Sequence, residues 1–333
     1  MKNKTLSIII PTYNMEGYLA KCLSSLIIGK GQESIEAIVV NDGSTDNSLN
    51  IARDFESKYP EMFRIIDKPN GNYGSCINSA LKIATGKYVK LLDADDSFET
   101  DSFRKLMDLL ERIDVDVVLN DKVEIYRDRE CLETVDYPAG MIDVFFKPDK
   151  IKSFKSITMH SITYRLSILK DMGYEQSEGI FYTDMEWAFA PMAFVNTAYY
   201  LNVPLYRYLM AREGQSVDSK VMDAHLKDEI LATIKNVNSI VSFSAQPQVV
   251  LDTMRYRLYR QIRRLYKRVI IKSPYLDGDV LMLLDNELRD KDASMYEKIG
   301  KETKYGLKYI SIWRKNRKSP LLKIIKNAFR FIG

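Results

Sequence analysis

Short apolar runs alternate with stretches of helical periodicity from residue 5 to residue 120. The runs are LSIII (6–10), EAIVV (36–40), FRII (63–66), YVKLL (88–92) and VDVVL (115–119). Between them, segments 16–28, 46–59, 75–84 and 101–112 carry apolar residues at three- and four-residue spacing, the period of a helix with one buried face. Asp46 is placed to cap the second of these helices. Continuous apolar strands alternating with helices predict an α/β fold, a mostly parallel sheet covered on both faces.

The rhythm changes after residue 120. Residues 120–210 mix short strands with short helices, and from about 219 Pro and Gly become scarce and the pattern is helical to the end. This predicts a division near 215, into 1–215 and a helical region 216–333. With 333 residues, 46% hydrophobic and 28% charged, the chain can bury a sizeable core. A net charge of +4 argues against a strongly basic protein, yet residues 301–333 hold ten Lys or Arg and one acid, Glu302. Three cysteines, Cys22, Cys76 and Cys131, form no CxxC pair and fit a reducing cytosol better than a disulfide framework. Two distant histidines, His160 and His225, make a histidine zinc site unpromising. The apolar run near the N-terminus is too short for a signal peptide, and no stretch reaches the roughly 18 apolar residues of a membrane span. These features predict a cytoplasmic protein.

In open α/β sheets, ligands bind beyond the carboxyl ends of the strands. Three polar loops fall there: PTYN (11–14), NDGSTD (41–46) and DADD (93–96). Each alone reads as a turn. Together they can converge on one crevice. DADD crowds Asp93, Asp95 and Asp96 onto one turn, where like charges resist ionisation. A divalent cation relieves that repulsion; oxygen ligands suit Mg²⁺ or Mn²⁺, and Mg²⁺ is commonly shared with substrate phosphates. The site therefore wants a phosphorylated ligand. GxxxxGK[ST] and GxGxxG are absent, which excludes a P-loop and weighs against a dinucleotide site.

In order, LSIIIPTYNMEGYLAKCLSSL, IEAIVVNDGSTDNS, NGNYGSCINSALKIATGKYVKLLDADD and FYTDMEW resemble glycosyltransferase family 2, of GT-A fold, over residues 5 to about 210. The resemblance implies an inverting transferase with a nucleotide-sugar donor, commonly a UDP-sugar. It implies that Pro11 and Tyr13 border the base and that Asp42 accepts from the uracil ring. It also places Asp93 near ribose and diphosphate, makes Asp95 the metal-bound acid of the DxD motif, and makes Asp184 the catalytic base. Relatives often read Glu-Asp where this chain has Thr183-Asp184, which leaves Glu186 as the alternative base. Asp96 extends the motif to DADD. Arg207 and Ser216, in PLYRYLMAREGQS, match a region with a Y-x-Y…S pattern that contacts the diphosphate or a mobile loop.

The chemistry of such a transfer asks for the same groups. An acceptor hydroxyl attacks the anomeric carbon opposite the leaving diphosphate, a cation stabilises charge growing on that leaving group, and a base takes the hydroxyl proton. The base must face the cation across the sugar, so it should come from a segment remote from DADD, as 181–189 is. His160, in the acceptor half, is open to substrate binding or plain packing. Lys68 is open to reaching the diphosphate. Asn70, Gly71 and Gly74 read as a turn leading into a helix, and Cys76 as a core residue.

The C-terminal SPLLKIIKNAFRFIG aligns Lys323, Lys326, Asn327 and Arg330 in one stripe, with Leu321, Leu322, Ile324, Ile325, Ala328, Phe329 and Ile332 filling the rest. Such a helix can lie on an anionic membrane or pack on the protein with its stripe in water. Region 216–333 is thus open to acceptor, membrane or subunit contacts, and no nucleic-acid motif supports that alternative. The expected activity is metal-dependent transfer to a glycan or lipid-linked acceptor in surface polysaccharide synthesis, at the inner face of the cell membrane. Two rivals are a sugar nucleotidyltransferase, whose glycine-rich triphosphate loop is missing, and a non-catalytic sugar-nucleotide-binding assembly subunit.

Overall fold

The computed structural model describes residues 4–140, 142–144, 157–210, 215–272 and 278–332. Two compact units result, Met1–Asp218 and Ser219–Gly333.

The first unit contains strands β1 (Leu6–Thr12), β2 (Ile35–Asp42), β3 (Phe63–Lys68), β4 (Tyr88–Leu91), β5 (Ser97–Phe98), β6 (Val117–Ile125), β7 (Glu130–Glu133), β8 (Ile142–Val144), β9 (Ile162–Arg165) and β10 (Thr197–Leu209). Its helices are α1 (Leu19–Ser24), α2 (Ser48–Lys58), α3 (Asn72–Ile83), α4 (Thr100–Leu110), α5 (Leu166–Asp171) and α6 (Asp184–Trp187). One sheet runs β3-β2-β1-β4-β9-β6-β10-β5. β3, β2, β1 and β4 are parallel. β9 then runs antiparallel to both β4 and β6, and β10 returns parallel to β6. Every residue of β2 and β4 is buried, as a strand covered on both faces requires.

Two sequence expectations change in detail. The helix expected over 16–28 is regular only at Leu19–Ser24, because residues 14–16 are bound to the next loop instead. Asn14 adopts φ 53° and its side-chain oxygen accepts from Thr45 N at 2.8 Å, while Glu16 Oε2 accepts from Asn47 N at 2.9 Å. Asp46 is not the cap residue of α2; Asn47 holds that position. Asp46 instead accepts from Ser48 N at 3.0 Å and from Glu16 N at 2.9 Å, stapling the two loops together.

At the amino edge of the sheet, Glu36 is a buried carboxylate inside an apolar strand. It accepts from Ser7 Oγ at 2.6 Å, Thr85 N at 2.9 Å and Arg64 Nη1 at 2.8 Å. Burial pushes its carboxyl up, but the bonds from Ser7, Thr85 and Arg64 outweigh that and hold it below its ordinary value. Lys90 is a second buried charge, wholly covered in the middle of β4. Its Nζ donates to Asn120 Oδ1 at 2.8 Å and to the carbonyls of His160 (2.9 Å) and Ile162 (3.1 Å), so one ammonium ties β4 to β6 and to the segment entering β9. Burial lowers its pKa well below that of a free lysine.

The second unit is helical: α7 (Ser219–Ala224), α8 (Leu226–Ser242), α9 (Gln248–Lys267), a π turn at Arg268–Lys272, α10 (Leu281–Lys291), α11 (Ala293–Gly300), α12 (Tyr309–Lys315) and α13 (Pro320–Ile332). α9 buries Met254, Leu258, Ile262 and Leu265, one stripe at helical spacing, and leaves its arginines toward water. A polar knot closes this core. Asp285 accepts from Tyr266 Oη at 2.6 Å and Arg314 Nε at 2.8 Å, and Arg314 stacks 3.5 Å from the centre of the Tyr296 ring. In α13, Leu322 and Ile325 are buried, whereas Leu321 (43% exposed) and Ile324 (59%) face out. The side chain of Arg330, the last member of the basic stripe, lies outside the described residues. Among the described residues no helix is long and apolar enough to cross a membrane.

Candidate active site

The carboxyl ends of β1, β2 and β4 lie side by side, because β1 pairs with both neighbours in parallel register. Pro11 and Thr12 stand opposite Val40 and Asn41, so PTYN and NDGSTD leave the sheet together. Tyr13 is 48% exposed, its ring free to meet a ligand. Asp42 is buried, and its Oδ1 accepts from Gly71 N at 3.0 Å and pairs with Lys68 Nζ. Lys68 also donates to Ser75 Oγ and Pro69 O, both at 2.8 Å. The lysine is thus engaged in fixing the β3–α3 loop over Asp42, and Gly71 is the cap residue of α3.

DADD follows β4 as a tight turn. Asp96 is buried; its carboxylate accepts from Tyr206 Oη at 2.8 Å and Leu209 N at 2.7 Å. Tyr206 Oη in turn accepts from Asp93 N at 3.1 Å, so one phenol holds both ends of the turn. Burial, then the charges of Asp93 and Asp95, raise the Asp96 carboxyl well above its ordinary value. Asp93 and Asp95 are half-buried. Tyr73, on the first turn of α3, donates to Asp93 Oδ1 at 2.9 Å.

His160 packs its ring between Tyr206 and Tyr208, at centroid distances of 4.7 and 4.5 Å. Burial, aided by the charges of Lys122 and Lys90, lowers its pKa to about 3, so the imidazole is neutral. Asp93, Asp96 and His160 offer ligand atoms within 4.8 Å of one another. Two carboxylates and a neutral imidazole form a donor set that a divalent ion such as Mn²⁺ accepts, and Asp95 adds a carboxylate on the same turn.

Asp184 opens α6, just after Tyr182 at φ 62°. Its position is fixed through its neighbours. Thr183 Oγ1 accepts from Gln176 Nε2 at 2.9 Å, and Glu186, buried, accepts from Ser177 N at 2.9 Å. Asn78 of α3 grips Gln176 by both backbone groups, at 2.8 and 2.9 Å. Asp184 and the acid turn act on the same phenols: burial, then Asp93, with Asp184 among the further charges, raises both Tyr73 and Tyr208. Residues 93–96 and 184 thus lie near the same two phenols, Tyr73 and Tyr208. Glu186, two residues further along α6, is buried.

Arg207 is not brought there. Side chains alternate along a strand, so Tyr206 and Tyr208 face the acid turn and Arg207 the opposite side, where it pairs with Glu130 at 2.7 Å. The C=O of Ser216 accepts from Tyr182 Oη at 3.0 Å. Sequence reasoning did not single out Tyr73 or the cradle of Tyr206 and Tyr208; the Tyr-Arg-Tyr alternation was the available signal for the latter.

The family model for glycosyl transferase family 2 matches residues 7–135, which contain β1 through the acid turn. This stretch belongs to glycosyl transferase family 2. An uncharacterized glycosyltransferase of Mycoplasma pneumoniae, the MG060 homolog, is 34% identical over 125 residues, 37% of this chain and 42% of that protein. The minor teichoic acid biosynthesis protein GgaB of Bacillus subtilis is 35% identical over 119 residues, 35% of this chain and 13% of that one. The chain therefore spans less than half the length of these relatives. Among solved structures, S. aureus TarS residues 1–349, in complex with UDP-GlcNAc, superposes with a TM-score of 0.71 at 18% identity, over 98% of this chain and 91% of that one. The family 2 stretch thus sits in the GT-A fold that its motifs imply, followed by a helical C-terminal region.

Proposed function

We propose that the chain is an inverting glycosyltransferase that moves a sugar from a nucleotide sugar, a UDP-sugar in the first instance, to a hydroxyl of a glycan or lipid-linked acceptor. The observation that carries this reading is the acid turn at the carboxyl end of β4, with Asp93, Asp96 and His160 offering ligand atoms within 4.8 Å of one another and Asp184 near the same phenols. The UDP-GlcNAc bound by TarS and the teichoic acid assignment of GgaB support a UDP donor and a surface-polymer acceptor.

In this reading Pro11 and Tyr13 flank the base, and Asp42 takes its ring N–H while Gly71 and Lys68 hold the carboxylate still. Asp93 and Asp95 would hold a divalent cation, with Asp96 and His160 behind them. When bound, the cation supplies positive charge to the departing diphosphate. Asp184 takes the proton of the attacking hydroxyl from the opposite side, a contribution on the order of 10²–10⁴ in rate. Residues 1–215 bind the donor, and 216–333 serve the acceptor, a membrane surface or a second subunit. The protein works in the cytoplasm, at the inner face of the membrane.

The test is a panel of nucleotide sugars, each measured for hydrolysis and for thermal stabilisation of the full chain with and without Mn²⁺. A ligand at 100 times its Kd adds about 2.7 kcal/mol of apparent stability. Stabilisation by a UDP-sugar that deepens with Mn²⁺, accompanied by hydrolysis, is expected. Stabilisation with no hydrolysis or transfer would favour the non-catalytic binder, and no response to any nucleotide sugar would end the proposal.

A further inference from the structure

The helical unit holds a cleft of about 780 Å³ that is separate from the site described above. It is lined by six basic residues of segment 314–326, with Asp279 the one carboxylate among its lining. Arg317 pairs with Asp279 at 2.6 Å, and Arg314 with Asp285 at 2.8 Å. Lys315, Lys318 and Lys323 have no ion-pair partner among the described residues. Gathering that much like charge in one concavity is unfavourable unless an anion enters it.

A second feature points the same way. Trp313 lines the cleft and is 2% exposed, yet its indole Nε1 donor has no hydrogen-bond partner among the described residues. Buried donors are nearly always satisfied, so an orphan one beside a cavity asks for an acceptor in that cavity. Gly278 lies close against this donor: a Cβ there would come within 2.9 Å of Trp313 Nε1 and crowd it. The cleft also takes in Ser319 and Leu322 at the start of α13.

We propose that this cleft binds a phosphate group, of a lipid headgroup or of a water-soluble phosphate or diphosphate. The indole N–H donates to a phosphate oxygen, and Lys318 and Lys323 neutralise its charge. Exposed Leu321 and Ile324 stand on the same helix as Lys323, where they could enter the apolar edge of a bilayer around a bound headgroup.

Binding is measured on the full chain with two probes. One is co-sedimentation with vesicles of equal parts phosphatidylglycerol and phosphatidylcholine, against phosphatidylcholine alone. The other is titration with inorganic pyrophosphate, alone and as a competitor of the vesicles. Lys318→Gln with Lys323→Gln removes two exposed charges and should weaken binding about thirtyfold. Trp313→Phe keeps a ring in the core but deletes the donor, and should weaken binding about fivefold, a loss that diffuse surface charge would not show. A melting curve for each variant checks folding, and Lys323→Gln alone stands in for any variant that melts early. Vesicle binding that pyrophosphate reverses identifies the lipid source. Pyrophosphate binding without vesicle binding identifies a soluble one. Binding of neither probe, or binding that the lysine and tryptophan variants leave unchanged, overturns the proposal.

Discussion

Gly74→Ala separates positioning from stability. Gly74 lies in the first turn of α3, where alanine is intrinsically favoured over glycine by about 0.8–1 kcal/mol. A methyl group there would stand 1.9 Å from Ser177 O and 2.9 Å from its carbonyl carbon. Side-chain carbons do not approach within about 3.0 Å, so this carbonyl must retreat by roughly 1 Å, an overpacking cost of about 1–3 kcal/mol. The two effects partly cancel, and the net loss of stability should be about 0–2 kcal/mol. Function should suffer more. Ser177 N–H holds Glu186, its neighbour Gln176 holds Thr183, and Asn78 stops the loop from sliding freely. A shift of Ser177 is thereby passed to the start of α6 and to Asp184. A misplacement of 1 Å costs about 10²-fold in rate. Melting temperature, UDP affinity and turnover, measured on one preparation, should show a small, a negligible and a large change. Wild-type turnover in Gly74→Ala would show that the 174–179 loop does not set the base, and equal losses of affinity and turnover would place the damage in the donor site.

Three further outcomes are expected. Asp95→Ala should abolish Mn²⁺-dependent UDP binding without lowering the melting temperature of the metal-free protein, because it removes a charge that presses on buried Asp96; calorimetric titration with and without Mn²⁺ decides this. Asp184→Asn should cut transfer by about 10²-fold or more at nearly unchanged donor affinity; near-normal turnover would move the role to Glu186. Glu36 has its folded pKa depressed, so its contribution is complete above the ordinary value of 4.5 and is lost as pH falls through the folded value. Stability of the wild type should therefore drop across that acid window, and Glu36→Gln, about 2 kcal/mol weaker at neutral pH, should show a shallower drop when melting is followed against pH.

The parallel half of the sheet was legible because β1, β2 and β4 each carry a largely apolar run, buried on both faces, a pattern that sequence displays directly. The reversal at β9 was not. Four residues, Ile162–Arg165, carry no signature of direction, and their partners come from residues 88–90 and 117–119, far off in sequence. The shortening of α1 escaped notice because its cause, Asn14 and Glu16 bonding to residues 45–47, is a contact between loops. At the site, the acid turn announced itself by charge density at the end of an apolar run. The phenols that hold it did not, since a buried tyrosine in a strand is ordinary until its hydroxyl partner is known. Arg207 illustrates the converse: its place in a Y-x-Y pattern attracted attention, while the period-two alternation with Tyr206 and Tyr208 assigns it to the other face.

Lys90 bears on how the chain reaches this structure. β4 is the outer strand of the parallel half until β9 arrives, and the Ile162 carbonyl that receives Lys90 lies 72 residues further along the chain. During synthesis that interval leaves Tyr88, Val89, Leu91 and Leu92 on an open, β-prone edge, a template for pairing between nascent chains. A lysine in the middle of the edge is charged while water reaches it and repels a second copy of the same strand, as gatekeeper residues do. Its charge becomes costly only when β9 closes over it, and Asn120 and the two carbonyls then receive it. A Lys90→Met chain would be expected to gain an apolar core position and lose soluble yield, the same side chain having guarded the strand before it stitched the sheet.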